Sequence, residues 1–347
     1  MGVNKFSING KFYAQNVTGV QRFAREIVLE MDKIADQLDV EIVVPADAKN
    51  IPSLKNIKIT KSRLKKSIAW EQLCLPFYLW RKKRIGVHLC HVAPIIKPDI
   101  VCIHDANVLV NPQWFTKKVR LWYGLIGFVC AKFAKRIITV SDFSKGELQK
   151  KLKIRNDKID VLSEGWEHIE KIHADDGILA HYGLKKREYF FSLGTRAPHK
   201  NIRWICEYAK KRPNVVFAMS GSNYGRIFGK IKDSIPKNVK FLGYLSDEDI
   251  KTLMKNCKAF IFPSFYEGFG LPPLEALCIG SPVIASDIPV MHEIFGNTVH
   301  YINPNNTDVD LNQVIEKSLD TPSTVLEKYS WEKGAKMLLG IIEDLSV

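Results

Sequence analysis

Short apolar runs rich in β-branched residues alternate with helix-period segments along the whole of this chain, and few folds accept that order. The runs fall at 3–8, 41–44, 100–103, 137–140 and 159–162, then at 189–193, 215–219, 239–242, 259–262, 282–285 and 299–302. Helical spacing of apolar residues fills intervals at 20–36, 117–133, 201–211, 247–257 and 311–319. Strand, helix and strand in succession require crossovers over the faces of a sheet, so the pattern predicts an α/β protein with parallel, doubly wound sheets. At about 150 residues per domain, a chain of 347 residues is too long for one such sheet. Two domains follow, and the polar, weakly patterned stretch 166–187 is read as the linker on which they hinge.

One half alone carries the formal charge of +14. Residues 1–165 hold 29 Lys and Arg against 15 Asp and Glu, whereas 166–347 hold 22 of each. A field of that sign draws anionic lipid surfaces and nucleic acids alike. Basic runs lie at 61–66, 81–84 and 132–136, and between the first two stand Trp70, Leu73, Leu75, Phe77, Tyr78 and Trp80. Aromatics flanked by cations make an interfacial anchor, so residues 61–84 and 132–136 are read as facing an anionic membrane surface. The same segment also suits a core-packing helix with a solvated basic end, because Pro76 would break or kink a long surface helix. No RNA- or DNA-reading motif accompanies the charge, and a nucleic-acid partner, the rival that charge alone suggests, is not expected. No apolar stretch reaches the roughly 18 to 20 residues that cross a bilayer, and no apolar block with a cleavage site opens the chain. The expected location is cytoplasmic, peripheral at the inner face of the cell membrane. Seven scattered cysteines without a C-x-x-C pair fit a reducing compartment.

Common cofactor motifs are missing. The turn after the first run reads Asn9-Gly10-Lys11-Phe12-Tyr13 where a dinucleotide site needs G-x-G-x-x-G, and there is neither a P-loop nor H-E-x-x-H. Hydride transfer, P-loop hydrolysis and a catalytic zinc are disfavoured, and no metal and no cofactor are expected. In doubly wound sheets ligands bind at the carboxyl ends of strands, where this chain puts His104, Asp105, Arg196, Tyr244 and Glu267.

The strongest local signal runs from Pro263 through Glu267, Gly268, Phe269, Gly270, Leu271, Pro272 and Pro273 to Glu275, directly after an apolar run. Gly268 and Gly270 let backbone N–H groups approach a ligand, and a proline suits the first turn of the helix that follows. A loop feeding a helix N-terminus is a ready phosphate site. Glu267 and Glu275 bracket it, and ionised carboxylates accept hydrogen bonds from sugar hydroxyls. The reading is therefore a sugar diphosphate, its diols on the acids and its phosphates on the loop. Leu193-Gly194-Thr195-Arg196-Ala197-Pro198-His199-Lys200 also follows a run, and Arg196 and Lys200 there can meet diphosphate charge. Gly19 opens a long helix with room for a second phosphate contact. His104 beside Asp105 can donate or accept near a reacting sugar. The pair equally suits a histidine satisfied by a neighbouring carbonyl and an aspartate capping the next turn.

These residues resemble the retaining, nucleotide-sugar-dependent glycosyltransferases of family 4, which have the GT-B fold of two Rossmann-like domains facing across a cleft. The resemblance rests on the two acids separated by seven residues, among them Gly-Phe-Gly-Leu-Pro. Weaker support comes from 18–22, 103–105, 138–144, 194–201 and 241–246. It implies an acceptor-binding domain at 1–166, a nucleotide-sugar domain at 167–328 and a closing helix at 329–347 that returns to the first domain. It implies a hexosyltransferase that moves a hexose from a nucleotide diphosphate sugar to a lipid-linked saccharide acceptor in surface polysaccharide synthesis, without a metal. His104, Glu267, Arg196 and Lys200 take catalytic roles in it. Gly19, Thr195, Arg196, Lys200, Tyr244, Leu245, Glu267, Gly268, Phe269, Gly270, Leu271 and Glu275 bind the donor, and Asp105 lies on the acceptor side. Tyr244 and Leu245 would hold the base through backbone atoms, and His199 stands where many relatives carry Arg. An epimerase or a phosphorylase of the same fold is the rival enzyme.

Overall fold

The computed structural model describes residues 5–36, 38–175, 177–194, 197–221 and 235–345. They form two compact units. One comprises the chain up to Gly165 together with the stretch from Ser330 onward, and the other is Trp166–Tyr329.

The first unit is built on a parallel sheet of β1 (Lys5–Asn9), β2 (Val40–Val44), β3 (Lys58–Lys61), β4 (Arg84–His88), β5 (Ile100–Cys102), β6 (Arg136–Thr139) and β7 (Ile159–Val161). Their order is β3-β2-β1-β4-β5-β6-β7, so the strand order reverses between β1 and β4. The second unit repeats the plan with β8 (Tyr189–Leu193), β9 (Val216–Ser220), β10 (Val239–Gly243), β11 (Ala259–Phe262), β12 (Val283–Ser286) and β13 (His300–Ile302). Here the order is β10-β9-β8-β11-β12-β13, with the reversal between β8 and β11. Central strands such as β4, β5 and β11 are buried throughout, as sheets covered by helices on both faces require.

Two strands escape the sequence reading, for opposite reasons. β3, Lys-Ile-Thr-Lys, is an exposed edge strand whose lysines mask its alternation. β4 begins at Arg84, the last residue of a basic run, but Arg84 is buried and bound to Asp39 at 2.8 Å and Glu41 at 3.0 Å. It therefore belongs to the core and not to an anion-facing surface. The stretch 166–187 is not a bare linker either. It contains helices Glu167–Glu170 and Gly177–His181, and it buries His168, Ile169, Leu179 and Leu184 in the second unit. The helix expected at 311–319 stops at Ile315.

The segment around Pro76 combines both readings offered for it. A π-helical turn, Trp70–Cys74, runs directly into the helix Leu75–Lys82, and this wider turn lies immediately before Pro76, whose missing N–H an unbroken α-helical ladder would require. Trp70, Leu75 and Leu79 are buried, while Leu73, Phe77 and Trp80 are exposed.

The last helix, Trp331–Asp344, packs in the first unit, where buried Trp331 meets Phe23 edge-on at 6.1 Å. Close approach is possible because residue 334 is glycine: a Cβ there would lie 2.7 Å from the Ser163 carbonyl oxygen and 2.8 Å from Ile27. Around Gly340 a Cβ would meet nothing within 4 Å. Alanine gains about 1 kcal/mol of helix propensity at either site, but overpacking costs about 1–3 kcal/mol. Urea denaturation should therefore show Gly334→Ala destabilised and Gly340→Ala stabilised by about 0.5–1 kcal/mol; equal effects would contradict the packing described.

Candidate functional site

In the second unit the reversal of strand order puts the loops after β8 and β11 side by side. Asn201 locks them together. It adopts a left-handed conformation, φ 51°, which asparagine tolerates better than most residues. Its buried amide donates to the carbonyls of Pro263 at 2.9 Å and Pro304 at 2.8 Å. The Phe265 N–H in turn donates to the His199 carbonyl at 2.7 Å. With this backbone frame fixed, Lys200 Nζ meets Glu267 Oε1 at 2.8 Å and Oε2 at 3.0 Å, and lies 5.0 Å from the centre of the Phe262 ring. Two residues read separately as cation and acid are thus bonded to each other, with little of either side chain exposed. Removing one partner of such a pair strands the other charge.

Beyond Glu267 the loop turns at Gly270, where φ is +120° and a Cβ would meet Met291 at 2.9 Å and Phe295 at 3.2 Å. The backbone conformation itself strains any other residue there, and a Cβ would in addition have to displace the Met291 methyl. Phe269 is buried and packs edge-on against Tyr329 at 5.1 Å. The helix Leu271–Cys278 follows. Pro272 and Pro273 contribute no N–H to its first turn, and the Leu274 N–H already donates to the Gly270 carbonyl. Backbone donors for an anion must therefore come from the loop 268–271, and the helix adds mainly its dipole. Glu275 is buried one turn in, its Oε1 2.9 Å from Nε2 of His168.

Tyr244 and Leu245 follow β10, where the register with β9 shifts and Gly243 takes φ +76°. Tyr244 is exposed and Leu245 buried. The Gly243 carbonyl accepts from the Gly221 N–H at 2.8 Å and from Ser220 Oγ at 3.0 Å, which fixes this backbone beside the β9 loop. Thr195 and Arg196 lie outside the described residues. The site residues that sequence reasoning missed are His168 and Asn201. No motif marks His168, and Asn201 closes the stretch 194–201 without a role of its own there; their contacts span 107 and 62 to 103 residues respectively.

In the first unit Gly19 starts the helix Gly19–Ile34 and a Cβ there would meet nothing within 4 Å, so its own packing does not require glycine. His104 is buried, with Nε2 2.9 Å from the Leu89 carbonyl and the ring edge-on to Phe23 at 4.8 Å. Asp105 accepts from the Asn107 N–H at 2.7 Å. Both are the satisfied arrangement that the sequence left open. Asp105, His91 and Tyr123 border a small hollow.

Residues 178–336 match the family described as glycosyl transferases group 1. Across almost its whole length the chain superposes on sucrose-phosphate synthase from Thermosynechococcus elongatus, with TM-score 0.72, 16% identity and 99% of both chains covered. It also superposes on WaaG, a glycosyltransferase involved in lipopolysaccharide biosynthesis, with TM-score 0.62, 16% identity and 99% and 98% covered. The chain thus has the fold of the GT-B glycosyltransferases, and its similarity to the group 1 family begins within the second unit and runs on to residue 336. Among curated relatives it is 29% identical to the O-antigen chain mannosyltransferase RfbU of Salmonella typhimurium, over 62% of this chain and 59% of that protein. It is 28% identical to the O-antigen chain mannosyltransferase B of Escherichia coli, over 64% and 61%. The matched region spans about three fifths of the length of these relatives.

Burial holds the His104 pKa down to about 4, with nearby His91 adding to the effect, against 6.5 for a free imidazole. As pH falls the unfolded chain takes up the proton first. The stability from neutral His104 is therefore complete above pH 6.5 and is lost progressively toward pH 4, about 2 kcal/mol being gone at pH 5. His104→Gln keeps a donor for the Leu89 carbonyl without titrating, so urea midpoints at pH 7 and pH 5 should differ less in the variant than in the parent. An unchanged difference would contradict this burial.

Proposed function

We propose that the chain is a retaining hexosyltransferase that moves mannose from a nucleoside diphosphate sugar to a saccharide acceptor of a surface polysaccharide. The observation that carries the reading is the placement of Glu267, the glycine loop and Glu275 at the carboxyl end of the sheet, at its reversal of strand order. The names of the mannosyltransferase relatives support the choice of sugar and polysaccharide.

In this reading Glu275 accepts from the ribose hydroxyls and Glu267 from those of the hexose, while the loop 268–271 donates to the diphosphate. Tyr244 and Leu245 hold the base, and Gly19 takes a second phosphate contact. The bond from the anomeric carbon to the diphosphate oxygen breaks as the acceptor oxygen bonds to that carbon on the same face. The acceptor's proton passes to the leaving diphosphate. Charge grows on that oxygen, and Lys200, Arg196 and the helix dipole stabilise it without need of a metal or other cofactor. Buried and neutral, His104 acts as a hydrogen-bonding group at the hexose and not as a charged acid, and Asp105 lies on the acceptor side.

The acceptor in this proposal is lipid-linked, and the first unit meets it at an anionic membrane surface on the cytoplasmic side. Leaving out buried Arg84, residues 72–141 hold ten Lys and Arg against Asp99 and Asp105. Exposed Leu73, Phe77 and Trp80 stand on and just before the helix Leu75–Lys82, and exposed Leu121, Leu125 and Phe128 recur at helical spacing on Lys117–Phe133. Apolar side chains edged by cations are the composition of an interfacial face. No described helix is long and apolar enough to cross a membrane.

Glu275→Ala should weaken nucleotide-sugar binding about 10- to 100-fold, the worth of hydrogen bonds to a charged group. Calorimetry checks this, and unchanged affinity would remove the assignment. The parent protein should release free nucleoside diphosphate with a new mannoside, whereas an isomerised donor would favour an epimerase. Vesicles containing phosphatidylglycerol should sediment the protein at about 0.05 M salt and release it at about 0.5 M. Failure to sediment would overturn the membrane part alone.

A further inference from the structure

The second carboxylate of the donor loop has a partner that its sequence motif does not contain. Glu275 Oε1 is 2.9 Å from His168 Nε2, and this is the one hydrogen bond that the Glu275 side chain makes among the described residues. Both side chains are about nine-tenths or more buried, 5% exposed for His168 and 10% for Glu275. A carboxylate only accepts, so the proton of the bond sits on Nε2. The mount of His168 is fixed at both ends. Before it, Trp166 Nε1 donates to the Leu326 carbonyl at 3.0 Å. After it, Lys251 Nζ donates to the carbonyls of Glu170 at 3.0 Å and Ile172 at 2.7 Å. The four-residue helix Glu167–Glu170 between these ties packs against Leu271–Cys278.

We propose that His168 is a positioning residue for donor binding. It holds Oε1 of Glu275 so that Oε2 is turned to the vicinal hydroxyls of the ribose of a nucleoside diphosphate. The inference rests on the donor-site reading above and adds a residue to it. A free glutamate samples several rotamers and loses that freedom when it grips a ligand. A glutamate already held by a buried donor has lost it on folding, so binding is not charged for it a second time. The oxygen that His168 takes is also removed from competition, which limits the diol to one defined approach. Because the grip is on ribose alone, the diphosphate contacts of the loop 268–271 and of Lys200 do not depend on it.

The test uses full-length protein, calorimetry with GDP, UDP and ADP, and calorimetry with inorganic pyrophosphate. In His168→Ala, affinity for whichever nucleoside diphosphate the parent binds should fall about 10-fold, while pyrophosphate affinity stays within about twofold. The KM for the matching nucleotide sugar should rise with kcat unchanged. In His168→Gln the amide donor reaches about as far as Nε2 and should restore most of the affinity, whereas the shorter His168→Asn should not. This second pair carries the test if the alanine variant does not fold. Equal nucleoside diphosphate affinity in parent and His168→Ala overturns the proposal, as does equal loss for pyrophosphate or equal affinity of the Gln and Asn variants. A parent protein that binds neither nucleoside diphosphates nor pyrophosphate overturns the donor site itself, a different result from the others.

Discussion

The reversal of strand order between β8 and β11 is the constraint on which the candidate site depends. Crossover helices leave the sheet on opposite faces at that point, so the loops after the two strands diverge and a crevice opens between them. Asn201 then sets the separation, its amide spanning to Pro263 and Pro304 from a left-handed backbone. Without that bridge the ammonium of Lys200 and the carboxylate of Glu267, 67 residues apart in sequence, would have no reason to meet. Each is costly to bury alone, and each makes the other tolerable. Nucleotide-sugar binding, as proposed, would draw Lys200 toward phosphate and Glu267 toward hydroxyls, exchanging one set of charge-assisted bonds for another.

Glycine and proline shape the loop that lies between the two acids. Gly270 occupies a backbone conformation, φ +120°, that other residues rarely adopt. The prolines that follow rigidify the first helical turn while withholding N–H groups from it, so the loop and not the helix end supplies the backbone donors. Such a site takes its selectivity from fixed geometry, since few of its parts are free to rearrange.

What could be read in the sequence was local, and what could not was long-range. The acids flanking Gly268 to Leu271 could be read as a candidate site because all the parts sit within one short stretch. The alternation of runs declares two parallel sheets because each crossover is itself a local unit. β4 was hidden because its first residue, Arg84, is a core cation paired with Asp39 and Glu41, and composition cannot tell an inward from an outward arginine. His168 fell in a stretch read as linker because the group that explains it, Glu275, enters the chain 107 residues later. For His104 the sequence left two readings open, a group near a reacting sugar and a histidine satisfied by a carbonyl, and only the structure supplies the Leu89 contact and the burial that keep it neutral.

The most direct test of the site is a crystal structure with a nucleoside diphosphate hexose bound. The account predicts ribose hydroxyls within about 3.2 Å of the Glu275 carboxylate, hexose hydroxyls at Glu267 and the diphosphate against the backbone of 268–271. A ligand seated elsewhere, or both carboxylates turned away from it, would contradict the account at its centre.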